Sequence, residues 1–410
     1  MFDVRKTSNE LAVSRIVRRK PMPRRSLWLA ALFIATLALG TDEFVIAGVL
    51  HAVAADLGVT AGTAGQLVTA FALTFAIGAP ALAVWLDRYP RRLVMCGGLT
   101  VFVLANIGCA FAPDLASLLI LRIVAGLSAA AVSTTAFAAA AESAPDGKRG
   151  AYLSLVTAGL TVALFTGVPV GTWVAGAWGW RSTFVLIAAV AALAEIVALA
   201  TMPRLPGSEP VALSARLAPL RRPAVLRMVV AIFLCGTGGL MFYTYLGPIS
   251  VHALGTDAHL PVVLLVVGLV GVMAALLGGR LTDSYGPRRA RLAILGGHAL
   301  ALALVAIVVV AGASPWVFLA GVAVWSVFAW ALNPPMQAST IAAAPEAAMT
   351  AVSLNISGLY LGTAAAGAAG GLLLDRLGAA AIPIVGAVAL AGAWLIAAPS
   401  VRARAKAGEG

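Results

Sequence analysis

Residues 27–50 read LWLAALFIATLALGTDEFVIAGVL, an apolar block interrupted by the polar triplet Thr41, Asp42 and Glu43. As an α-helix this block is about 36 Å long, enough to cross about 30 Å of hydrocarbon. Comparable blocks follow at 65–86, 93–112, 116–141, 150–173, 180–201, 225–250, 260–280, 291–312, 314–341, 350–373 and 378–400. Of the 410 residues 61% are hydrophobic and 11% charged, against about 25% charged in a soluble domain. Too few polar groups remain to cover a water-exposed surface. A membrane barrel would alternate apolar and polar residues in segments of about ten. These blocks are instead continuously apolar, so the pattern predicts an all-α membrane protein of twelve transmembrane helices.

The placement of charge predicts the orientation. The net charge is +12, and with an inside N-terminus every Lys and Arg falls on the cytoplasmic side except Arg122, Arg181 and Arg376. That bias is the positive-inside signature of a multi-pass inner-membrane protein with both termini cytoplasmic. It accounts for the basicity without a nucleic-acid partner. The expected division is a basic tail (1–26), six spans (27–202), a cytoplasmic linker (203–224), six more spans (225–400) and a C-terminal tail (401–410). The first block is too long for a signal-peptide core, and Met22 offers a second start that keeps the topology. Cys96, Cys109 and Cys235 lie within spans, without metal or disulfide spacing.

The halves echo each other at an offset of 196 residues: Gly40-Thr41 with Gly236-Thr237, Asp87 with Asp283, and Gly171 with Gly367. A duplicated six-helix unit is a transporter architecture, its substrate site lying between halves that rock.

Residues 83–92, AVWLDRYPRR, resemble the major facilitator superfamily signature Gly-x-Leu-Ala-Asp-Arg-x-Gly-Arg-Arg, with Ala83 and Pro90 replacing two glycines. The second copy, GRLTDSYGPRR at 279–289, keeps both glycines but carries Ser284 and Pro287 where Arg is expected. LRIVAG at 121–126 is similar to the family's intramembrane arginine motif. Gly159, then GVPVGT at 167–172 and Gly179-Trp180-Arg181, resemble the antiporter motif of its twelve-helix drug:proton branch. GTDEF at 40–44 is similar to the first-helix motif of that branch and of its sugar- and nucleoside-exporting relatives. The resemblance implies two pseudo-symmetric six-helix bundles and proton-coupled export of amphipathic, drug-like compounds. Efflux of a sugar, nucleoside or other metabolite is the alternative. It also implies a monomer in the lipid bilayer that needs only substrate and protons, with no cofactor.

Asp42, Glu43, Arg122 and Glu195 lie inside spans, where an unpaired charge is expensive and an ionisable residue is a functional candidate by default. Asp42 sits about 12 Å and Arg122 about 9 Å from the outer ends of their helices, so the two can meet. One carboxylate of Asp42 and Glu43 is expected to carry the coupling proton. Adjacent helical residues point about 100° apart, so one of the two faces a cavity; the resemblance favours Glu43. Arg122 is either a static bridge or part of the relay. Glu195 lies within reach of the cytoplasmic interface or of a Ser or Thr partner, and a packing role is expected of it rather than one in transport. Asp87, Arg88, Arg91, Arg92 and Glu142 form an expected cytoplasmic gate, with Asp283 and Arg288 as its second copy.

Pro169 should kink the fifth span, while Gly159, Gly167 and Gly171 allow close helix approach. Only the resemblance makes these an antiport element. Tyr243, Tyr245, Trp330, Asn333 and Asn355 are candidate substrate lining, and His51, His252 and His298 read as structural. The chain has no Gly-x-x-x-x-Gly-Lys-Ser/Thr loop, no His-Glu-x-x-His helix and no Gly-x-Ser-x-Gly elbow. An enzyme is therefore not expected, and neither is ATP as the energy source.

Overall fold

A computed structural model describes residues 27–398 except 146–147, 210–211, 257 and 313. The basic tail with its alternative start at Met22, and the C-terminal tail, lie outside the described residues. The chain is helical throughout, in the order α1 (Leu27–Phe44, continued by Ile46–Asp56), α2 (Ala61–Leu86), α3 (Arg91–Phe111), α4 (Leu115–Glu142), α5 (Arg149–Trp178), α6 (Arg181–Thr201), α7 (Pro223–Thr244, continued by Leu246–Leu254), α8 (Leu260–Tyr285), α9 (Pro287–Val310), α10 (Pro315–Ala343), α11 (Pro345–Leu377) and α12 (Ala381–Ala397). The first eleven are long and apolar enough to span a bilayer. The twelfth has 17 residues, at the short end of the spanning range. Leu276, Ile307, Val388 and Leu395 are 63–70% exposed, as expected of side chains solvated by lipid rather than water.

Helices α1–α6 pack together and α7–α12 pack together, each group around small residues. The α1–α5 crossing rests on glycine. A Cβ on Gly159 would lie 2.1 Å from Thr36 Oγ1 and 2.5 Å from the Phe33 carbonyl, and one on Gly167 would lie 1.9 Å from Thr41 Oγ1. With the backbones this close, Thr36 donates across the crossing to the Val156 carbonyl at 2.9 Å. Midway along α5, Ala163–Gly167 forms a π-helical turn immediately before Pro169. A wide turn there is how a helix absorbs the hydrogen bond that proline cannot make.

The two groups meet along a seam that favours one end of the bundle. The half of α5 nearest the Arg-rich loops, Arg149–Val162, packs on α1 and α4, whereas its other half packs on α1, α6 and, across the seam, α8. A Cβ on Gly268 would lie 2.5 Å from the Leu164 carbonyl, and Gly367 and Gly371 press on α2 at Thr69 and Gly62. Thr69 donates to the Ala364 carbonyl at 3.1 Å, and Thr60 to Asp375 at 2.8 Å. All these contacts lie toward the face opposite the Arg-rich loops. On that same face Asp114 caps α4, accepting from the Ser117 N–H at 2.8 Å, which holds its carboxyl below the ordinary range.

Candidate transport site

The polar triplet of α1 distributes its side chains over two environments. Asp42 points into the first helix group, where Arg122 Nη1 of α4 donates to its Oδ1 at 2.5 Å and Nη2 reaches its carbonyl oxygen at 3.3 Å. Both side chains are 0% exposed. The guanidinium lies over Phe71, 4.5 Å from the ring centroid, and near Phe184 at 5.9 Å. Asp42 is therefore paired, desolvated and walled off by aromatic rings.

Glu43, one residue on, faces the seam. The Tyr360 hydroxyl of α11 donates to its Oε2 at 2.6 Å, and the Tyr360 ring stacks on Phe75 of α2 at 3.9 Å. Glu43 also lines a cavity of about 10 Å³ with Phe44, Ala47, Val68, Leu240, Tyr243, Thr244 and Thr363, about the room one water needs. The lining comes from both helix groups and is apolar apart from the carboxylate, two threonines and one phenol. Trp330 reaches this region through Phe44, with centroids 5.6 Å apart.

Of the residues singled out as lining, Tyr243 lines the cavity and Trp330 stands behind Phe44. Tyr245 instead donates to the Gly367 carbonyl at 2.6 Å, and Asn355 donates to Thr340 inside the second group at 3.2 Å. Asn333 is half-buried at the break between Ala331 and Asn333 in α10. Tyr360 and Phe75 were missed by sequence reasoning. Nothing in local spacing signals a partner 317 residues from Glu43. Glu195 accepts from Thr100 at 2.5 Å, a threonine partner on α3.

A second charged cluster closes the Arg-rich face of the first group. Arg91 bridges Asp87 at 2.8 Å and Glu142 at 2.9 Å. Ser208 of the linker accepts from Arg91 at 2.8 Å, and Arg216 of the linker pairs with Asp87 at 2.5 Å. Arg88 stacks on Trp85 and Tyr89, and Arg92 donates to the Leu199 carbonyl near the end of α6. The second copy is built differently: at an offset of 196 residues, Arg91 becomes Pro287 and Glu142 becomes Ala338. Among the described residues no ion pair joins Asp283 to Arg288; Arg288 and Arg291 donate to the Ala398 and Ala397 carbonyls at the end of α12. Gly286 there has φ 79°, whereas Pro90 turns the first loop at φ −55°. That conformation needs no glycine.

The family model described as Major Facilitator Superfamily matches residues 32–354. The chain belongs to that superfamily. YbcL, an uncharacterised MFS-type transporter of Bacillus subtilis (strain 168), is 32% identical over 361 residues, covering 87% of this chain and 91% of its own. A chloramphenicol resistance protein of Streptomyces lividans is 34% identical over 263 residues, 62% of this chain and 66% of its own. The crystal structure of a bacterial homologue of the human lysosomal transporter Spinster, inward-facing and unoccupied, superposes with a TM-score of 0.73. It shares 15% identity and covers 92% of this chain and 97% of that one. The superfamily fold, two six-helix groups around a central seam, makes this chain a multi-pass membrane transporter of small molecules and not an enzyme.

Proposed function

We propose that this transporter exports amphipathic, drug-like compounds in exchange for protons, and that Glu43 is the group that carries the proton. The supporting observation is that Glu43 is the one carboxylate at the cavity between the helix groups, while its neighbour Asp42 is sealed against Arg122. A carboxylate at that seam can hold either a proton or a cationic or hydrogen-bonding substrate, and competition between the two is exchange. Asp42 and Arg122 then form the fixed electrostatic wall behind it. The chloramphenicol resistance relative supports a drug-like cargo, as does the largely apolar lining.

The Arg-rich face is the cytoplasmic one by the positive-inside rule, so the protein sits in the inner membrane as a monomer with both termini inside. In this orientation the packed end of the seam is the outer gate, and the structure corresponds to an outward-closed state. Asp87, Arg91 and Glu142 fasten the linker to the first group, with Arg88 and Arg92 beside them in the same gate cluster, and the linker helix Leu213–Leu217 touches both α2 and α11. That helix is the element through which the cluster gates the cytoplasmic side. Asp283 and Arg288 are the altered second copy of that gate, in which Arg288 donates to the Ala398 carbonyl at the end of α12. Gly159, Gly167, Pro169 and Gly171 shape α5 so that it packs on α1 and, beyond the π turn, on α8.

The test is ligand-induced proton release from purified protein in weakly buffered detergent, with ethidium, chloramphenicol and arabinose as probes. Release by one probe, abolished by Glu43→Gln and retained by Asp42→Asn, is the expected result. Binding without release from wild type would refute proton exchange, and loss only in Asp42→Asn would move the proton to the other carboxylate.

A further inference from the structure

The Glu43–Tyr360 bond is the one ion-dependent contact at the cavity that crosses from one helix group to the other. Its geometry is specific. The phenol donates at 2.6 Å, and the ring is held by a near-parallel stack on Phe75, 15° between planes. Tyr360 is 9% exposed, so it is anchored on the second group yet clamped by α1 and α2 of the first. The titratable and charged groups facing Glu43 are Tyr360 from α11, Tyr243 from α7, Arg122 from α4 and its own neighbour Asp42. Of these, Tyr243 donates to the Phe44 carbonyl at 3.3 Å and Arg122 to Asp42. Tyr360 alone spends its donor on Glu43.

An exchanger must not reorient when it is empty of both substrate and proton, because that step would let substrate run downhill uncoupled. We propose that Tyr360 enforces this rule as a positioning residue: its hydroxyl grips the charged Glu43 carboxylate and holds the outer gate shut until proton or substrate takes its place. A hydrogen bond to a charged acceptor is roughly twice as strong as one to a neutral group. Adding a proton to Glu43 therefore weakens the grip, and a substrate group that binds the carboxylate replaces it. Either event releases α11 from α1. The proposal rests on Glu43 as the proton carrier.

The experiment reads the outer gate directly. Spin labels at Ala55→Cys and Leu377→Cys sit on exposed outer positions of the two groups, and the native Cys96, Cys109 and Cys235 are buried. Distances are recorded from pH 5 to 9 in lipid nanodiscs without ligand. Wild type should stay closed at high pH and open as pH falls. Tyr360→Phe, which keeps the stack and loses the donor, should raise the open fraction at high pH by about tenfold, the scale of one charge-assisted bond. Its pH response should flatten. Glu43→Gln should behave alike, and adding Tyr360→Phe to it should change nothing further.

A Tyr360→Phe protein with the wild-type pH response, or effects of the two substitutions that simply add, overturns the latch while leaving proton release by wild type intact. Absence of ligand-induced proton release from wild type removes the parent reading instead, and the latch with it.

Discussion

Arg122 offers the sharpest test of how this membrane interior handles charge. Replacing it with Met keeps much of the volume and removes the cation. The change leaves Asp42 in a fully buried site with no partner for either carboxylate oxygen, since its Oδ2 already lacks a hydrogen bond. Breaking a buried ion pair from one side costs about 3–5 kcal/mol. Loss of the contact with Phe71 adds about 1–2 kcal/mol, the range from an exposed to a desolvated cation–π pair. Asp42→Asn alone strands the guanidinium and should cost a similar 3 kcal/mol or so. The double variant strands nothing, so it should recover most of the loss, leaving about 1–2 kcal/mol for the missing ring contact and hydrogen bond. A double-mutant cycle on reversible unfolding in mixed micelles measures this, with a coupling energy of about 5–9 kcal/mol expected, the two single losses less that of the double variant. Additive losses, or single variants within 0.5 kcal/mol or so of wild type, would refute the picture of an isolated buried pair.

Gly159→Ala should force α1 and α5 apart and lower stability by about 1–3 kcal/mol, because its Cβ would meet Thr36 and the Phe33 carbonyl; Gly176→Ala, which meets nothing, should be neutral in the same melting assay. Arg91→Ala releases Asp87, Glu142 and Ser208 together, so limited proteolysis should cut the 203–224 linker several-fold faster, whereas Arg288→Ala should leave that rate unchanged. The Ser117 N–H holds the Asp114 carboxyl below its usual range, so the stabilisation from this cap is complete above the unfolded-state carboxylate range and disappears as pH falls through the folded value. Asp114→Ala should accordingly flatten the acid limb of a stability–pH curve, with an unaltered acid limb counting against the cap.

Hydropathy made the spans legible because lipid imposes one simple condition, about twenty apolar residues per crossing. The Asp42–Arg122 contact was legible for a related reason: depth in a membrane is readable from distance to a helix end, and two buried charges at matching depth have few alternatives to each other. The Thr100 partner of Glu195 follows the same logic. Side-chain azimuth is less accessible. Tyr243 and Tyr245 are two residues apart, and one reaches the cavity while the other is buried against Gly367. Only the neighbours decide that, through Gly65, Gly370 and Gly371 making room for the Tyr245 side chain. Tyr360 was illegible because its role depends on Phe75 and Glu43, both on the other helix group. The linker's part was hidden likewise, since Ser208 and Arg216 gain meaning only from Asp87 and Arg91.

The duplicated halves divide the electrostatic work unequally, and the pattern of replacements explains why both still fold. At an offset of 196 residues, Asp42 and Glu43 correspond to Gly238 and Gly239, Arg122 to Phe318, and Arg91 to Pro287. Asp42 is lost together with its partner Arg122, and Arg91 together with Glu142, while Asp283 keeps the place of Asp87. The space is refilled by neutral groups: Gly239 lies against His298, which is buried beside Trp325, and Gly238 lies against the Gly386 backbone. Close glycine contact needs no charge to hold it and can slide. The second group therefore relies less on buried ion pairs than the first, although both use close glycine contacts. The proton-dependent contact we propose reaches across from the ion-paired group, where Glu43 stands.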